Sequence, residues 1–118
     1  MSEVIIYHYP HWGSSVNALA VAEELGVEYK AVLYIKEPPG RKELETIIEG
    51  LDDPVEDLVR KDSKFEKLQL NPDDFVANPE AVIEILIKHK QLLQRPVLLN
   101  GKKSIIGRPK SRIYDFLS

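Results

Sequence analysis

Cysteine is absent from the 118 residues of the chain, which excludes disulfides, thiolate metal ligands and thiol catalysis by its own side chains. No apolar run approaches the roughly 18 residues that would span a bilayer, and no basic segment with an apolar signal core opens the sequence. We therefore expect a cytoplasmic protein. The net charge of −3 provides no long-range attraction to nucleic acid or to an anionic membrane, so neither is an expected partner.

The first third of the chain predicts a strand, a helix and a second strand. A nearly continuous apolar run at residues 4–7 is typical of a strand buried on both faces. Ser14 or Ser15 is the predicted N-cap of the helix that follows, and Gly26 stands where a glycine would end it. Residues 28–35 are rich in β-forming side chains, so we expect a strand parallel to the first.

The middle of the chain, from about residue 40 to 92, predicts a helical insertion. Its first helix has apolar residues at i, i+3, i+4 and i+7, which are Leu44, Ile47, Ile48 and Leu51. A longer helix is predicted to begin at Asn78–Pro79, with four residues on its buried side: Val82, Ile83, Leu86 and Ile87. The aspartate pairs at 52–53 and 73–74 are interpreted as helix caps.

The last part of the chain contains the strongest local signal. Asn100–Gly101 lies between two apolar runs, which predicts a β-hairpin, and a turn at Gly107 leads into a final helix. The order β-α-β, helical insertion, β-β-α predicts an α/β, thioredoxin-like fold, with helices packed on a mixed four-stranded sheet. We expect one domain spanning residues 1–118.

Four segments in this order resemble the ArsC/Spx/YffB group of thioredoxin-fold proteins, which includes glutaredoxin-coupled arsenate reductases. They are "YHYPHWGSSVNAL", "YIKEPPGRKEL", "VEDLVRKDSKFEKLQL" and "QRPVLLNGKKSIIGRP". No single segment is specific, but the four together cover essentially the whole chain with nearly unbroken spacing. The resemblance implies the same thioredoxin-like fold.

The resemblance places Trp12 at the position of the catalytic cysteine. It implies that the arginines which hold the oxyanion in the reductases are Arg60, Arg95 and Arg108. The alternative is that each arginine pairs separately with an acidic residue on the surface. Trp12 could act as a partner contact or as simple packing against neighbouring loops.

Three further positions follow from the resemblance. His8 matches a histidine of the family's first loop, Val16 stands where the reductases often have a basic residue, and the Arg95–Pro96 bond is expected to be cis. His8 and His11 have the spacing of metal ligands, but no third ligand stands near them. We therefore predict no metal site.

Arsenate reduction of this type needs a thiolate, so the resemblance implies a relative without that reaction. We expect a non-catalytic protein that requires no cofactor and binds a small oxyanion or a partner protein, as members of the Spx branch bind RNA polymerase. The anion would meet backbone N–H groups of Gly13, Ser14 and Ser15 as well as the arginines. The alternative is a glutathione-dependent transferase or reductase in which Ser14 or Ser15 activates the thiol of glutathione.

Overall fold

A mixed four-stranded sheet in the order β2-β1-β3-β4 forms the centre of the protein, and the computed structural model describes residues 4–9, 13–108 and 110–117. β1 (Val4–His8) runs parallel to β2 (Tyr29–Leu33) and antiparallel to β3 (Val97–Asn100), which pairs with β4 (Lys103–Ile106). This arrangement confirms the predicted α/β, thioredoxin-like fold.

α1 (Gly13–Glu24) connects the two parallel strands and ends at a glycine, as predicted. Gly26 has a φ of 70°, which its missing Cβ permits. The N–H of Gly26 donates to the carbonyl of Glu23 at 3.1 Å, and the N–H of Val27 donates to that of Ala22 at 2.9 Å. These two bonds form a Schellman motif, which satisfies the last carbonyls of the helix.

The insertion between β2 and β3 is helical, as predicted. It contains three α-helices: α2 (Arg41–Glu49), α3 (Ser63–Lys67) and α4 (Pro79–Lys88). Three short 3₁₀ turns stand between and after them: Val55–Leu58, Pro72–Phe75 and Lys90–Leu92. α5 (Lys110–Leu117) follows β4. Among the residues described, no helix is both long and apolar enough to cross a membrane.

The two faces of the sheet carry different hydrophobic clusters. The larger cluster lies on the side of the helical insertion and includes Tyr7, Tyr34 and Val97. The smaller one lies on the side of α1 and α5 and includes Ala18 and Ala22, whose small side chains are fully buried. The alternation of side chains along β1 and β3 therefore divides the core into two layers.

Two helix predictions are wrong in detail, one about an N-cap and one about a buried face. α1 begins at Gly13, so Ser14 and Ser15 stand in its first turn rather than at its N-cap. In α4, Ile87 is 51% exposed and Ile85 is buried instead. At 100° per residue, Ile87 falls just outside the arc that Ile85 and the other buried residues share.

The predicted caps differ from the structure, whereas the predicted hairpin is present and its loop starts one residue later. Asn71, rather than an aspartate, caps the turn Pro72–Phe75, since its side chain accepts from the N–H of Asp73 at 3.0 Å. Asp53 caps no helix and instead contacts β4. In the hairpin, Asn100 belongs to β3, and the two-residue loop starts at Gly101, which has a φ of 65°.

Candidate functional site

The candidate site lies at the edge of the sheet where β1 and β2 end. Because parallel strands end at the same edge, Tyr9 and Tyr34 follow them side by side, with ring centroids 6.4 Å apart. β3 begins at this edge, next to the cis bond between Arg95 and Pro96. α1 also begins here, at Gly13. Four chain segments thus meet at one end of the sheet.

Arg95 is the most deeply buried charge of the site, at 3% exposure. Its guanidinium carbon lies 5.3 Å from the centroid of the Tyr9 ring, a cation–π distance. Its Nη1 donates to the hydroxyl oxygen of Tyr34 at 3.1 Å, and that tyrosine is fully buried. The two aromatic residues fix the orientation of this arginine.

Arg60 reaches the same edge from the helical insertion. Its backbone N–H donates to the carbonyl of Leu92, and the N–H of Gln94 donates to that of Leu58, both at 2.7 Å. Its Nη1 lies 2.9 Å from Oδ2 of Asp62. These contacts place Arg60 beside the segment that carries Arg95.

Asp62 has a second role that explains its position. Its Oδ1 accepts from the N–H groups of Lys64 and Phe65 at the start of α3, at 3.1 and 3.2 Å. This is an ordinary N-cap. One carboxylate therefore begins a helix and orients Arg60 at the same time.

Arg108 approaches from the other side, just after β4. Its Nε donates to the carbonyl oxygen of Arg95 at 2.9 Å, and the neighbouring Gly107 N–H donates to the carbonyl of Pro96 at 2.8 Å. The three arginines are close enough to interact electrostatically. Burial lowers the pKa of Arg60, the charges of Arg95 and Arg108 lower it further, and Asp62 and Tyr34 oppose the shift.

His8 lies at the end of β1, on the face opposite to Tyr7 and Tyr9. It is 7% exposed, and its Nδ1 has no hydrogen-bond partner in the part of the chain that the structure describes. Burial lowers the pKa of this histidine below its ordinary value of 6.5, so the imidazole is neutral at pH 7. His8 therefore adds a buried polar group to this end of the sheet, without a charge.

Several predicted site residues lie outside the described part of the chain. His11 and Trp12 are among them, and of Ser14 and Ser15 only the backbone is described. Val16, which stands where the reductases often have a basic residue, is 47% exposed on the first turns of α1. No group of three potential metal ligands occurs within the described ranges.

Tyr9 and Tyr34 are the parts of the site that the sequence analysis missed. The signal for them was present in part, because Tyr9 follows the first predicted strand and Tyr34 lies near the end of the second, residues 28–35. Side chains in that position share an edge with any site built there. Their contacts with Arg95 could not be predicted without the position of β3.

The cluster of arginines has the chemistry of an anion site. Guanidinium groups donate several hydrogen bonds in a fixed plane to phosphate-like oxyanions, and here Arg95 is buried, Arg60 is half-buried and Arg108 is exposed. The chain has no cysteine, so it offers no thiol that could attack a bound oxyanion.

The sheet order and strand directions are those of a thioredoxin-like domain, the fold that the resemblance implies. The ArsC family model matches residues 7–116, and the chain belongs to the ArsC family. Its sequence is 33% identical over 118 residues to an arsenate reductase of Escherichia coli, covering 99% of this chain and 82% of that protein. It is 32% identical over 116 residues to an arsenate reductase of Haemophilus influenzae, covering 97% and 98%.

A solved structure supports the fold independently. The arsenate reductase from Vibrio cholerae superposes with a TM-score of 0.80 at 24% identity, covering 98% of each chain. At this identity the likeness concerns the fold.

Proposed function

We propose that this ArsC-family protein binds a tetrahedral oxyanion at Arg60, Arg95 and Arg108 without reducing it. The observation that carries the proposal is the meeting of three arginine-bearing segments at one end of the sheet: Arg108 donates to the carbonyl of Arg95, and the bridge between Val59 and Leu93 places Arg60 beside the Arg95 segment. Placing like charges together costs free energy, and a bound anion offsets that cost. The relatives named arsenate reductases suggest arsenate or phosphate as the anion.

The proposal gives no redox role to the protein. Electron transfer through a disulfide needs a cysteine, and the chain has none. A partner protein would use the same chemistry if it presented a phosphate or carboxylate group to the arginines. We expect the backbone N–H groups of Gly13, Ser14 and Ser15 to contribute, since a helix N-terminus favours anions.

An NMR titration with inorganic phosphate, arsenate or sulfate at constant ionic strength tests the proposal. We expect saturable shifts of the Gly13–Val16 amide signals and a parallel change in the fluorescence of Trp12, the only tryptophan. Arg60→Gln should weaken phosphate binding by about tenfold, the value of one charge-assisted hydrogen bond. Unmoved amide signals at tens of millimolar anion would overturn the proposal.

Arg41→Gln is the matched control for that variant. Arg41 is an exposed arginine that pairs with Glu80 between α2 and α4, and we assign it no role in the site. Removal of its charge changes the net charge of the protein by the same amount as Arg60→Gln. An equal loss of phosphate affinity in both variants would mean that binding is diffuse rather than local.

The glutathione-dependent alternative has a separate test. Turnover above background with glutathione and a chlorinated aromatic acceptor or a disulfide would replace the non-catalytic proposal. Ser14→Ala and Ser15→Ala should then lower that turnover. A cytoplasmic location stays a prediction.

A further inference from the structure

Two side chains clamp the last peptide groups of β4. Oδ2 of Asp53 accepts from the backbone N–H of Ile106 at 3.0 Å, and Oδ1 accepts from Nη1 of Arg112 at 2.8 Å. The same Nη1 donates to the carbonyl oxygen of Ile106 at 2.9 Å. One ion pair therefore holds both the N–H and the carbonyl of a single residue.

The clamped residue is two positions before Arg108. The backbone N–H of Arg108 donates to the same Ile106 carbonyl at 2.9 Å, and its Nε donates to the carbonyl of Arg95 at 2.9 Å. The path from the ion pair to this guanidinium is short and consists of hydrogen bonds. Asp53 and Arg112 also line, together with Arg108, a cavity of about 430 Å³.

We propose that Asp53 and Arg112 are positioning residues of the anion site, which fix the end of β4 and so aim Arg108 at the carbonyl of Arg95. The expected effect on anion binding rests on the proposed function. The orientation of the Arg108 side chain in the ligand-free protein does not depend on it. The side chains of Asp53 and Arg112 are 14% and 30% exposed, so the pair is sheltered enough to hold one geometry, unlike a surface salt bridge.

Asp53→Asn tests the inference with little change in shape. A carboxylate accepts from two donors, whereas an amide has one oxygen and one NH₂ group. In this variant a donor must face either the Ile106 N–H or the guanidinium of Arg112, so one bond of the clamp is lost. We expect the affinity for inorganic phosphate to fall about three- to tenfold, the range of a coupling of roughly 1 kcal/mol.

A ligand-free measurement keeps the inference separate from the proposed function. In ¹⁵N NMR spectra, the Nε–H of Arg108 should exchange faster with water in Asp53→Asn than in the wild-type protein. The Nε–H of Arg41, which pairs with Glu45 and Glu80 and has no part in the clamp, should not change. If phosphate fails to bind the wild-type protein, the proposed function fails, and this measurement still decides the positioning role. Unchanged exchange at Arg108 overturns it.

Two further variants separate positioning from a general loss of stability. Glu80→Gln breaks the ion pair with Arg41 and should leave phosphate affinity unchanged even where it lowers Tm. In an Arg108→Gln background, Asp53→Asn should cause no further loss of affinity, because it acts through the side chain already removed. An additional loss of the same size would overturn the inference.

Arg112→Gln is the second variant if Asp53→Asn does not fold. It removes both bonds from Arg112 but leaves the carboxylate on the Ile106 N–H. We expect the same direction of change in the exchange of the Arg108 Nε–H. No change in Arg112→Gln, measured on the folded protein, would again overturn the positioning role.

Discussion

The two ends of β4 are held in different ways. At the first end the contacts are mainly between backbones: the N–H of Ser104 donates to the carbonyl of Gly50 at 2.9 Å, and the N–H of Asp52 donates to the carbonyl of Ser104 at 3.0 Å. At the second end, the side chains of Asp53 and Arg112 hold the peptide groups of Ile106. The segment at residues 50–53, just after α2, therefore contacts the strand at both ends. Its backbone bonds to Ser104 at the first end, and the carboxylate of Asp53 bonds to Ile106 at the second.

The two glycines near these ends, Gly50 and Gly107, differ in the atoms that an added Cβ would meet. A Cβ on Gly50 would lie 1.7 Å from the carbonyl oxygen of Lys102, which is backbone. A Cβ on Gly107 would lie 2.7 Å from Cδ1 of Leu98 and 2.9 Å from Cγ of Pro96, which are side-chain atoms. The first end therefore requires close backbone contact, whereas the second end has side-chain neighbours, of which Leu98 can change its rotamer, and stands next to the arginines.

Gly50→Ala should have the largest effect on stability. The new methyl group must separate α2 from the β3–β4 hairpin, because no rotamer change can move the Lys102 carbonyl. We expect a loss of about 3 kcal/mol or more in the free energy of unfolding, at the upper end of overpacking costs. Urea denaturation measures it. A loss below about 1 kcal/mol would contradict the close contact at this end.

Gly107→Ala should cost less, about 1–3 kcal/mol, because Leu98 can adopt another rotamer. It should also weaken phosphate binding, since Gly107 connects the clamped Ile106 to Arg108. Urea denaturation and a phosphate titration of the same variant test both expectations. Equal losses of stability in the two glycine variants would remove the difference between the ends of β4.

Ser104→Ala sharpens the comparison at the first end. The hydroxyl of this fully buried serine donates to the carbonyl of Ile47, a side-chain contact beside the backbone bonds at this end. We expect a loss of about 1 kcal/mol, the ordinary value of one hydrogen bond. Thr46→Ala is the matched control, because its exposed hydroxyl donates to the Lys42 carbonyl within α2. A similar loss in the control would mean that the burial of Ser104 adds nothing.

The sequence predicted the elements better than the contacts between them. The hairpin at Asn100–Gly101 and the helix end at Gly26 depend on local turn chemistry, so both could be predicted and are confirmed. The role of Asp53 could not be predicted, because its partners lie 53 and 59 residues away. An aspartate beside a proline has the local pattern of a cap, and only the fold shows that it braces a strand.

The same distinction applies to the arginines. Their selection came from a family resemblance, since no local pattern relates Arg60 to Arg95. The antiparallel bridge between Val59 and Leu93 brings their segments together, and a bridge of this kind depends on the whole insertion. Whether these arginines bind an anion stays a prediction.

The smallest expected effect concerns His8 at the site end of β1. Burial lowers its pKa in the folded protein, so below pH about 6.5, its ordinary pKa, the unfolded chain binds more protons than the folded one. Stability is therefore present above pH about 6.5 and lost as the pH falls toward the lower folded pKa. Urea denaturation at pH 7.5 and 5.5, above the ordinary range of carboxylates, should show this decrease in the wild-type protein and a smaller one in His8→Gln. The same decrease in both would mean that another group causes it.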